Sequence, residues 1–445
     1  MPEHAPERRS VSIYPHWGSF ESTKIHGSGE DVLSTTRHTQ RWRQDLALLR
    51  EAGLRELRYP APWHRVERLR GEYDFRWLDG PMEEMRRTGM RPILDPLHHT
   101  SFPDWLEGGF ANPAFPALYV RFVERVAQRY PWVTDYTVFN EPLPTTLLCS
   151  YTGHWYPHGK SDREFVSMSL RVCRAICEVT AMLMRTNPRI RFVHIDACES
   201  HSAMERGIEE WVEYAQHRRF LLHDLVLGRV DRGHPLYGYL VQNGAAESEL
   251  SRLRDQPAKI DVLGLDYYPH SEMDWFWSEK RKGPDRVRPV ERPRGFAAVA
   301  RDYTERYRLP VAVGETNVRG TVTDRLTWLR HMEEQTAELA ESGVPVEGFC
   351  WFPSIDSTDW CHLCARCTHS VDPQGIWWLD AERWERHHSE LSDCYAALAK
   401  GQLEISDLPA YRLQEPLDQL LRGYVRSFMS HWSGWLEPLP AEQVA

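Results

Sequence analysis

The sequence predicts a single (β/α)8 barrel, and three observations support this fold class. Eight short apolar segments alternate with segments of amphipathic helical spacing along most of the 445 residues. Polar and aromatic residues follow several apolar segments, at the strand ends where such barrels carry their functional groups. No break in composition and no low-complexity segment divides the chain. A doubly wound open sheet would give a similar alternation, but no glycine-rich phosphate loop follows any predicted strand.

The strands are predicted from apolar runs that end in turn residues or polar clusters. The first lies near 11–21, and the others span 54–60, 91–97, 134–140, 191–197, 260–268, 310–315 and 345–351. Strands that alternate with helices are typical of parallel βαβ units.

Helical spacing predicts an amphipathic helix after each of the first seven strands. The first helix spans 41–52, and Gly53 is a suitable C-terminal cap. The longest spans 163–187 and ends at Asn187-Pro188, because the residue before a proline is rarely helical. The others are predicted at 75–88, 116–130, 208–227, 295–307 and 323–342.

We expect residues 1–445 to form one barrel domain, with a C-terminal helical tail from about residue 403. The tail includes Trp432 and Trp435, and its pattern leaves open whether it covers the barrel or a partner. The sequence also leaves the oligomeric state open.

Composition and charge argue against several kinds of partner. The formal net charge is −10, with 54 Lys and Arg against 64 Asp and Glu, so we expect no nucleic acid partner. No apolar run reaches the roughly 18 residues of a membrane span, so no membrane association is predicted. The N-terminus has no apolar stretch behind its charges, which argues against a signal peptide. The chain has nine cysteines, an odd number. This count, together with the lack of an export signal, favours free thiols and a location in the cytoplasm.

Two glutamates carry the strongest chemical signal. Glu141 lies in Phe139-Asn140-Glu141-Pro142 at the end of predicted strand four, and Glu315 lies in VGETN at the end of strand seven. Carboxylates on two strands of one barrel can face each other across its mouth. A pair about 5 Å apart is what retaining glycoside hydrolysis requires, with one acid to protonate the leaving oxygen and one nucleophile. We therefore predict Glu141 as general acid/base and Glu315 as nucleophile.

Further motifs occur in a fixed order along residues 17–380: RWRQDLALLREAGLRELRYPAPW at 41–63, LHH at 97–99 with FPDWL at 102–106, LGLDYY at 263–268, and Trp351 with IDSTDW at 355–360. Together with the two glutamates, they resemble the glycoside hydrolase family 1 pattern. That family belongs to a wider clan of barrels whose catalytic glutamates follow strands four and seven.

The resemblance implies supporting roles around the nucleophile and the sugar. Arg58 would hold Glu315 ionised, because a nearby cation lowers a carboxyl pKa. Tyr268 would donate a hydrogen bond to the same carboxylate. His99 and Asn140 would bind sugar hydroxyls.

The resemblance also assigns Trp351 as the platform beneath the bound sugar, and places Asp359 and Trp360 in the sugar-binding loop after strand eight. Three positions depart from the family pattern. The Gln typical after strand one is replaced either by Glu21 or by a residue of the Lys24-Ile25-His26-Gly27 stretch. Asp266 stands where Asn is typical, and Asp359 stands where Glu is typical. These departures indicate a divergent branch and leave the sugar unassigned.

Cys361, Cys364 and Cys367 lie close together in sequence, with His362 and His369 nearby. Thiolates and imidazoles are zinc ligands, and C-x2-C-x2-C also begins an iron–sulfur motif, so a metal is one alternative. No second C-x-x-C pair completes a standard site, and we therefore expect free thiols and no metal or cofactor.

The sequence as a whole predicts a retaining exo-β-glycosidase, β-glucosidase-like, that removes a terminal β-linked sugar through a covalent glycosyl-enzyme intermediate. Its partner would be a small glycoside or an oligosaccharide. A catalytically weak carbohydrate-binding barrel is one alternative. An endo-acting or transglycosylating enzyme of the same clan is the other.

Overall fold

The computed structural model describes residue 12 and residues 14–279, 283–289 and 293–412. Eight parallel strands close into a barrel. They are β1 His16–Ser19, β2 Glu56–Pro60, β3 Arg91–Asp95, β4 Asp135–Tyr136, β5 Arg191–Ala197, β6 Val262–Asp266, β7 Val311–Thr316 and β8 Val346–Trp351. The first strand pairs with both β2 and β8, which closes the ring. The predicted (β/α)8 barrel is therefore confirmed.

The barrel interior is a packed apolar core. Side chains alternate along each strand, so every second residue points inward. The inward set is Trp17, Ile93, Val193, Ile195, Val262, Ala312, Cys350 and Phe352. Trp17 is fully buried, and a Cβ at Gly348 would overlap its indole ring, so glycine is needed where this large side chain crosses the barrel.

The outer layer consists mainly of helices. The long helices are His38–Glu51, Arg76–Thr88, Phe115–Arg129, Asp162–Thr186, Glu209–Arg218, Phe296–Tyr307, Val322–Glu341 and Glu390–Ala399. The shorter ones include Val32–Thr35, Trp63–Val66, Pro142–Ser150, Leu221–Val226, Tyr237–Gln242 and Glu247–Asp255. Among the helices described, none is both long enough and apolar enough to cross a membrane.

The predicted elements differ from the structure mainly at their ends. Strand β4 is only two residues long, although backbone pairing continues beyond it through a bridge between His98 and Asn140. The helix predicted at 208–227 is two helices, Glu209–Arg218 and Leu221–Val226.

The prediction also missed several elements that lie between barrel strands. The largest is a small sheet formed by Ser200–Ala203, Glu272–Ser278 and Gly283–Pro289. At the C-terminal end, the described chain contains the short 3-10 turn Ile405–Asp407. The predicted tail beyond residue 412, with Trp432 and Trp435, lies outside the described residues.

Candidate active site

A cavity of about 870 Å³ opens at the C-terminal end of the barrel strands. Both predicted catalytic glutamates line it, together with three other acidic side chains. The lining residues that matter below are Glu21, His99, Glu141, Trp155, Glu199, Asp266, Tyr268, Glu315, Arg319, Phe352, Trp360 and Gln374.

Glu141 is held by the backbone of the neighbouring strands. Its N–H donates to the Ile195 carbonyl at 3.0 Å, and the N–H of Asn140 donates to the Leu97 carbonyl at 3.0 Å. Glu141 has φ 46° and is the N-cap of the helix Pro142–Ser150. A left-handed conformation is uncommon for a residue other than glycine, and such conformations concentrate at functional sites.

Glu315 lies at the end of β7 and is bonded on both oxygens. Arg58 Nη1 donates to Oε1 at 2.7 Å, and the Tyr268 hydroxyl donates to Oε2 at 2.7 Å. The side chains of Arg58 and Glu315 are almost fully buried, so solvent screens this ion pair little. The structure thus brings together the three residues that the sequence grouped around the nucleophile.

The carboxylates of Glu141 and Glu315 lie within reach of a single anomeric centre. One oxygen of each, and one of Asp266, lie within 4.8 Å of one another. Retaining glycosidases hold their carboxyl groups about 5–5.5 Å apart, whereas inverting enzymes need a wider gap for a water molecule. Burial, reinforced by the negative charges of Glu315 and Asp196, raises the pKa of Glu141 well above its usual range. A raised pKa suits a general acid.

Asp266 adds a third carboxyl group to this pair. Its pKa is raised well above the usual range by burial and then by the charges of Glu315 and Glu141. Asp266 and Glu141 lie close together in this buried space, so a negative charge on either disfavours ionisation of the other. The sequence singled out Asp266 only as a departure from the family pattern and did not place it in the site.

Glu21 lies on the opposite wall of the cavity. Its Oε2 accepts a hydrogen bond from the Trp360 indole at 2.9 Å, and its Oε1 lies 3.2 Å from His98 Nε2. Burial alone would raise the pKa of Glu21, but the charges of His98 and His99 lower it below the usual range. Lys24 instead bonds Asp104 and does not line the cavity, so Glu21 is the residue after strand one that faces the site.

His99 lies between the two walls. Its Nε2 lies 3.6 Å from Glu141 Oε2, and its Nδ1 lies 3.0 Å from the Thr145 hydroxyl. Asn140 lies behind Glu141, where its Oδ1 accepts a hydrogen bond from Arg58 at 2.5 Å. The Asn140 Nδ2 has no hydrogen-bond partner among the residues that the structure describes.

Three residues assigned to sugar binding do not line the cavity: Asn140, Trp351 and Asp359. Trp351 is fully buried, and its indole donates to the Gln374 carbonyl at 2.8 Å; the next residue, Phe352, lines the cavity instead. Asp359 is also fully buried and accepts backbone hydrogen bonds from Thr368, His369 and Ser370. Its carboxylate therefore organises the loop 359–370.

The cavity also contains residues that the sequence analysis did not identify. Glu199 follows β5 by two residues, so the rule that predicted the other strand-end groups could have found it. Arg319 and Gln374 come from long loops, and no local pattern marks them. Trp155 is placed by its loop, where its indole donates to the Leu363 carbonyl at 2.5 Å.

The cysteine cluster lies in the loop that Asp359 organises. Within the part of the chain that the structure describes, Cys361, Cys364 and Cys367 do not form a group of three metal-donor atoms within 4.8 Å. All nine cysteines of the sequence are described, and each is a free thiol.

The chain is similar in sequence to known β-glycosidases. The glycoside hydrolase family 42 model, described as β-galactosidase, matches residues 34–141 and so ends at Glu141. β-Glucosidase A of Thermotoga maritima is 21% identical over 385 residues, which cover 77% of this chain and 83% of the relative. β-Glucosidase 1B of Phanerodontia chrysosporium is 24% identical over 166 residues, 35% of this chain and 30% of the relative.

Solved structures give the same picture of the fold. A β-glucosidase from Thermotoga maritima in complex with azafagomine aligns with a TM-score of 0.74 at 16% identity, covering 88% of this chain and 98% of that one. The family 1 β-glucosidase from the same organism aligns with a TM-score of 0.73 at 16% identity, covering 89% and 99%. These matches confirm the predicted resemblance of the chain to β-glycosidases, and the solved structures share its barrel fold.

Proposed function

We propose that this protein is a retaining exo-β-glycosidase that removes a terminal β-linked sugar. The observation that carries the proposal is the pair of facing glutamates with opposite environments. Glu315 is ion-paired with Arg58 at 2.7 Å. Glu141 is buried without a cation at hydrogen-bonding distance among the described residues, and its raised pKa suits an acid.

The reaction proceeds in two displacements. Glu315 attacks the anomeric carbon while Glu141 gives its proton to the departing glycosidic oxygen, which leaves as an alcohol. Glu141, now an anion, then takes a proton from water as that water attacks the same carbon and releases Glu315. The configuration inverts twice, so the product keeps the β configuration.

The closed wall beside the pocket supports exo action. The hydrogen bond between Trp360 and Glu21 joins the loop after β8 to the loop after β1 on one side of the cavity. A chain of sugars that extended in both directions would have to pass this wall. We therefore expect oligosaccharides to be shortened from one end, with monosaccharide as the first product.

The sugar is proposed from the relatives. Two sequence relatives and the structural relatives carry the name β-glucosidase, whereas a third sequence relative, matched over 68 residues, and the family model carry the name β-galactosidase. Aryl β-glucosides and β-galactosides are therefore the first substrates to assay, followed by β-fucosides and β-xylosides. A cytoplasmic location fits the nine free thiols. We also propose that residues 1–445 form a single domain that includes the C-terminal tail.

Azide rescue of two variants tests the mechanism. In Glu315→Gly, azide occupies the space of the nucleophile and attacks opposite the leaving group, so the product is an α-glycosyl azide. In Glu141→Ala, azide replaces water in the second displacement, so the product is a β-glycosyl azide. Glu199→Ala is the matched control, because it also removes a cavity carboxylate, and it should form neither azide.

The outcomes separate the alternatives. Rescue with the stereochemistry reversed would exchange the roles of the two glutamates. A wild-type protein that hydrolyses none of the aryl β-glycosides would favour the carbohydrate-binding barrel. Oligosaccharide products of intermediate length would indicate endo action, and products joined to an added alcohol would indicate transglycosylation.

A further inference from the structure

A second cluster of ionisable side chains lies behind β5, outside the catalytic cavity. His194 and Asp196 are two residues apart on this strand and therefore share one face. Val193 and Ile195 belong to the barrel interior, so the face with His194 and Asp196 is turned toward the helices. His223, in the helix Leu221–Val226, packs there, with its ring centroid 5.0 Å from that of His194.

Several donor atoms of this cluster form no hydrogen bond within the part of the chain that the structure describes. His194 Nε2, Asp196 Oδ2 and both ring nitrogens of His223 have no hydrogen-bond partner among the described residues. Asp196 and His223 are fully buried, and His194 is 5% exposed. Buried polar atoms in native proteins are almost always bonded, so something other than the described protein atoms should satisfy these four.

The three residues are also spaced for one common ligand. One donor atom of each lies within 4.8 Å of the other two, and His223 Nδ1 lies 3.9 Å from Asp196 Oδ2. Ligands bound tetrahedrally to zinc at 2.0–2.2 Å are separated by about 3.4 Å, so the three donor atoms would move closer together by up to about 1.4 Å when the metal binds, and they would supply three of its four ligands. We propose that His194, Asp196 and His223 bind a divalent transition metal such as zinc.

The surroundings of Asp196 support this assignment. Its Oδ1 accepts hydrogen bonds from the backbone N–H groups of Leu143 at 3.1 Å and Ala197 at 3.0 Å. These bonds fix the carboxylate and leave Oδ2 for the imidazoles, as outer-shell bonds do around metal ligands. In the described part of the chain, the one ion pair of Asp196 is with His223, so no lysine or arginine competes for it.

The site would act on the catalytic acid through the backbone. Leu143 is two residues beyond Glu141, in the first turn of the helix that Glu141 caps. A metal on Asp196 would therefore fix the start of this helix against β5. It would position Glu141 without touching the substrate.

Cobalt(II) is the probe that tests the site. Full-length protein is stripped with a chelator and titrated with Co²⁺, while visible absorbance and the thermal unfolding midpoint are recorded. We expect one equivalent to bind, with d–d absorbance and a raised midpoint, and zinc to displace it stoichiometrically. His194→Gln and His223→Gln should each weaken binding at least 100-fold.

Two controls make the result specific to this cluster. His234→Gln removes a buried imidazole that pairs with Asp224 outside the cluster, and it should bind Co²⁺ normally. Cys361→Ser/Cys367→Ser removes the thiol alternative and should also bind normally. Failure of the wild-type protein to bind one equivalent overturns the proposal, and so does unchanged binding in both histidine variants. Because the titration of the wild-type protein involves no substitution, its result does not depend on whether any variant folds.

Discussion

At the scale of single residues, three carboxyl groups and one guanidinium divide the charge of the site. Arg58 neutralises Glu315, whereas burial and the neighbouring carboxylates raise the pKa values of both Asp266 and Glu141. These different charge environments distinguish the nucleophile from the acid more strongly than burial of either glutamate would by itself. They also make Asp266 the residue whose replacement should report most directly on the protonation of Glu141.

Asp266→Asn should move the basic limb of the pH profile of kcat/KM to lower pH. In the wild type, ionisation of both Glu141 and Asp266 is unfavourable, because two negative charges would then lie close together. Without the Asp266 charge, Glu141 loses its proton more easily, so activity falls at a pH roughly one unit lower. The measurement is kcat/KM against pH for an aryl β-glycoside. A basic limb that stays in place or moves to higher pH would contradict the inference that the Asp266 charge raises the pKa of Glu141.

Tyr268→Phe should lower kcat/KM while leaving the fold intact. The variant removes the hydroxyl that donates to Glu315 Oε2, a hydrogen bond to a charged group. Such bonds contribute about 1.5–3 kcal/mol, which corresponds to a loss of roughly tenfold to a hundredfold. Tyr156→Phe is the control, because it removes a hydroxyl that accepts a hydrogen bond from the Gly108 N–H and does not line the cavity. Equal activity of Tyr268→Phe and wild type would show that Arg58 alone orients the nucleophile.

At the scale of elements, the loops after β1 and β8 close the cavity together. The loop 359–370 is held by the buried Asp359 carboxylate, and Trp360 beside it bonds Glu21 across the gap. The position of Trp360 at the cavity therefore depends on the loop 359–370, which the Asp359 carboxylate holds without lining the cavity itself.

Asp359→Ala should loosen this loop and raise KM more than it lowers kcat. Loss of several hydrogen bonds to a buried carboxylate removes about 1–3 kcal/mol of local stability. Arg366 lies within the loop, so trypsin should cleave there faster in the variant. Asp380→Ala removes a carboxylate that caps an exposed turn, and cleavage at Arg366 should not change in that control. Cleavage at the wild-type rate would mean that other contacts hold the loop.

The elements also differ in how well the sequence predicts them. Strands such as β5 and β7 were predicted because their apolar runs are bounded by loops and proline. The helix Pro142–Ser150 was missed because it is buried on all sides and has no polar face to mark its period. Glu141 and Glu315 followed from their positions at strand ends. The sequence did not predict that the side chains of Trp351 and Asp359 turn away from the cavity. The direction of a side chain at a strand end or in a tight turn depends on packing that no local pattern records.

At the scale of the whole molecule, the barrel has a tightly filled interior. Gly348→Ala would place a methyl group against the Trp17 indole, and overpacking of this kind costs about 1–3 kcal/mol. We expect a lower thermal unfolding midpoint with little change in KM. Gly238→Ala is the control, since a Cβ there meets no atom within 4 Å. A midpoint equal to that of the wild type would mean that the barrel widens freely.

The contact of Arg58 with Glu315 also bears on how the protein is made. The two residues are 257 positions apart in the chain, so the arginine leaves the ribosome long before its carboxylate exists. Until the seventh strand docks, a nascent half-barrel would have to bury an unpaired cation, which is costly. We therefore expect the N-terminal half to stay open, with the Arg58 guanidinium hydrated, during synthesis. Closure of the barrel is then expected only after the seventh strand, with Glu315, has been synthesised.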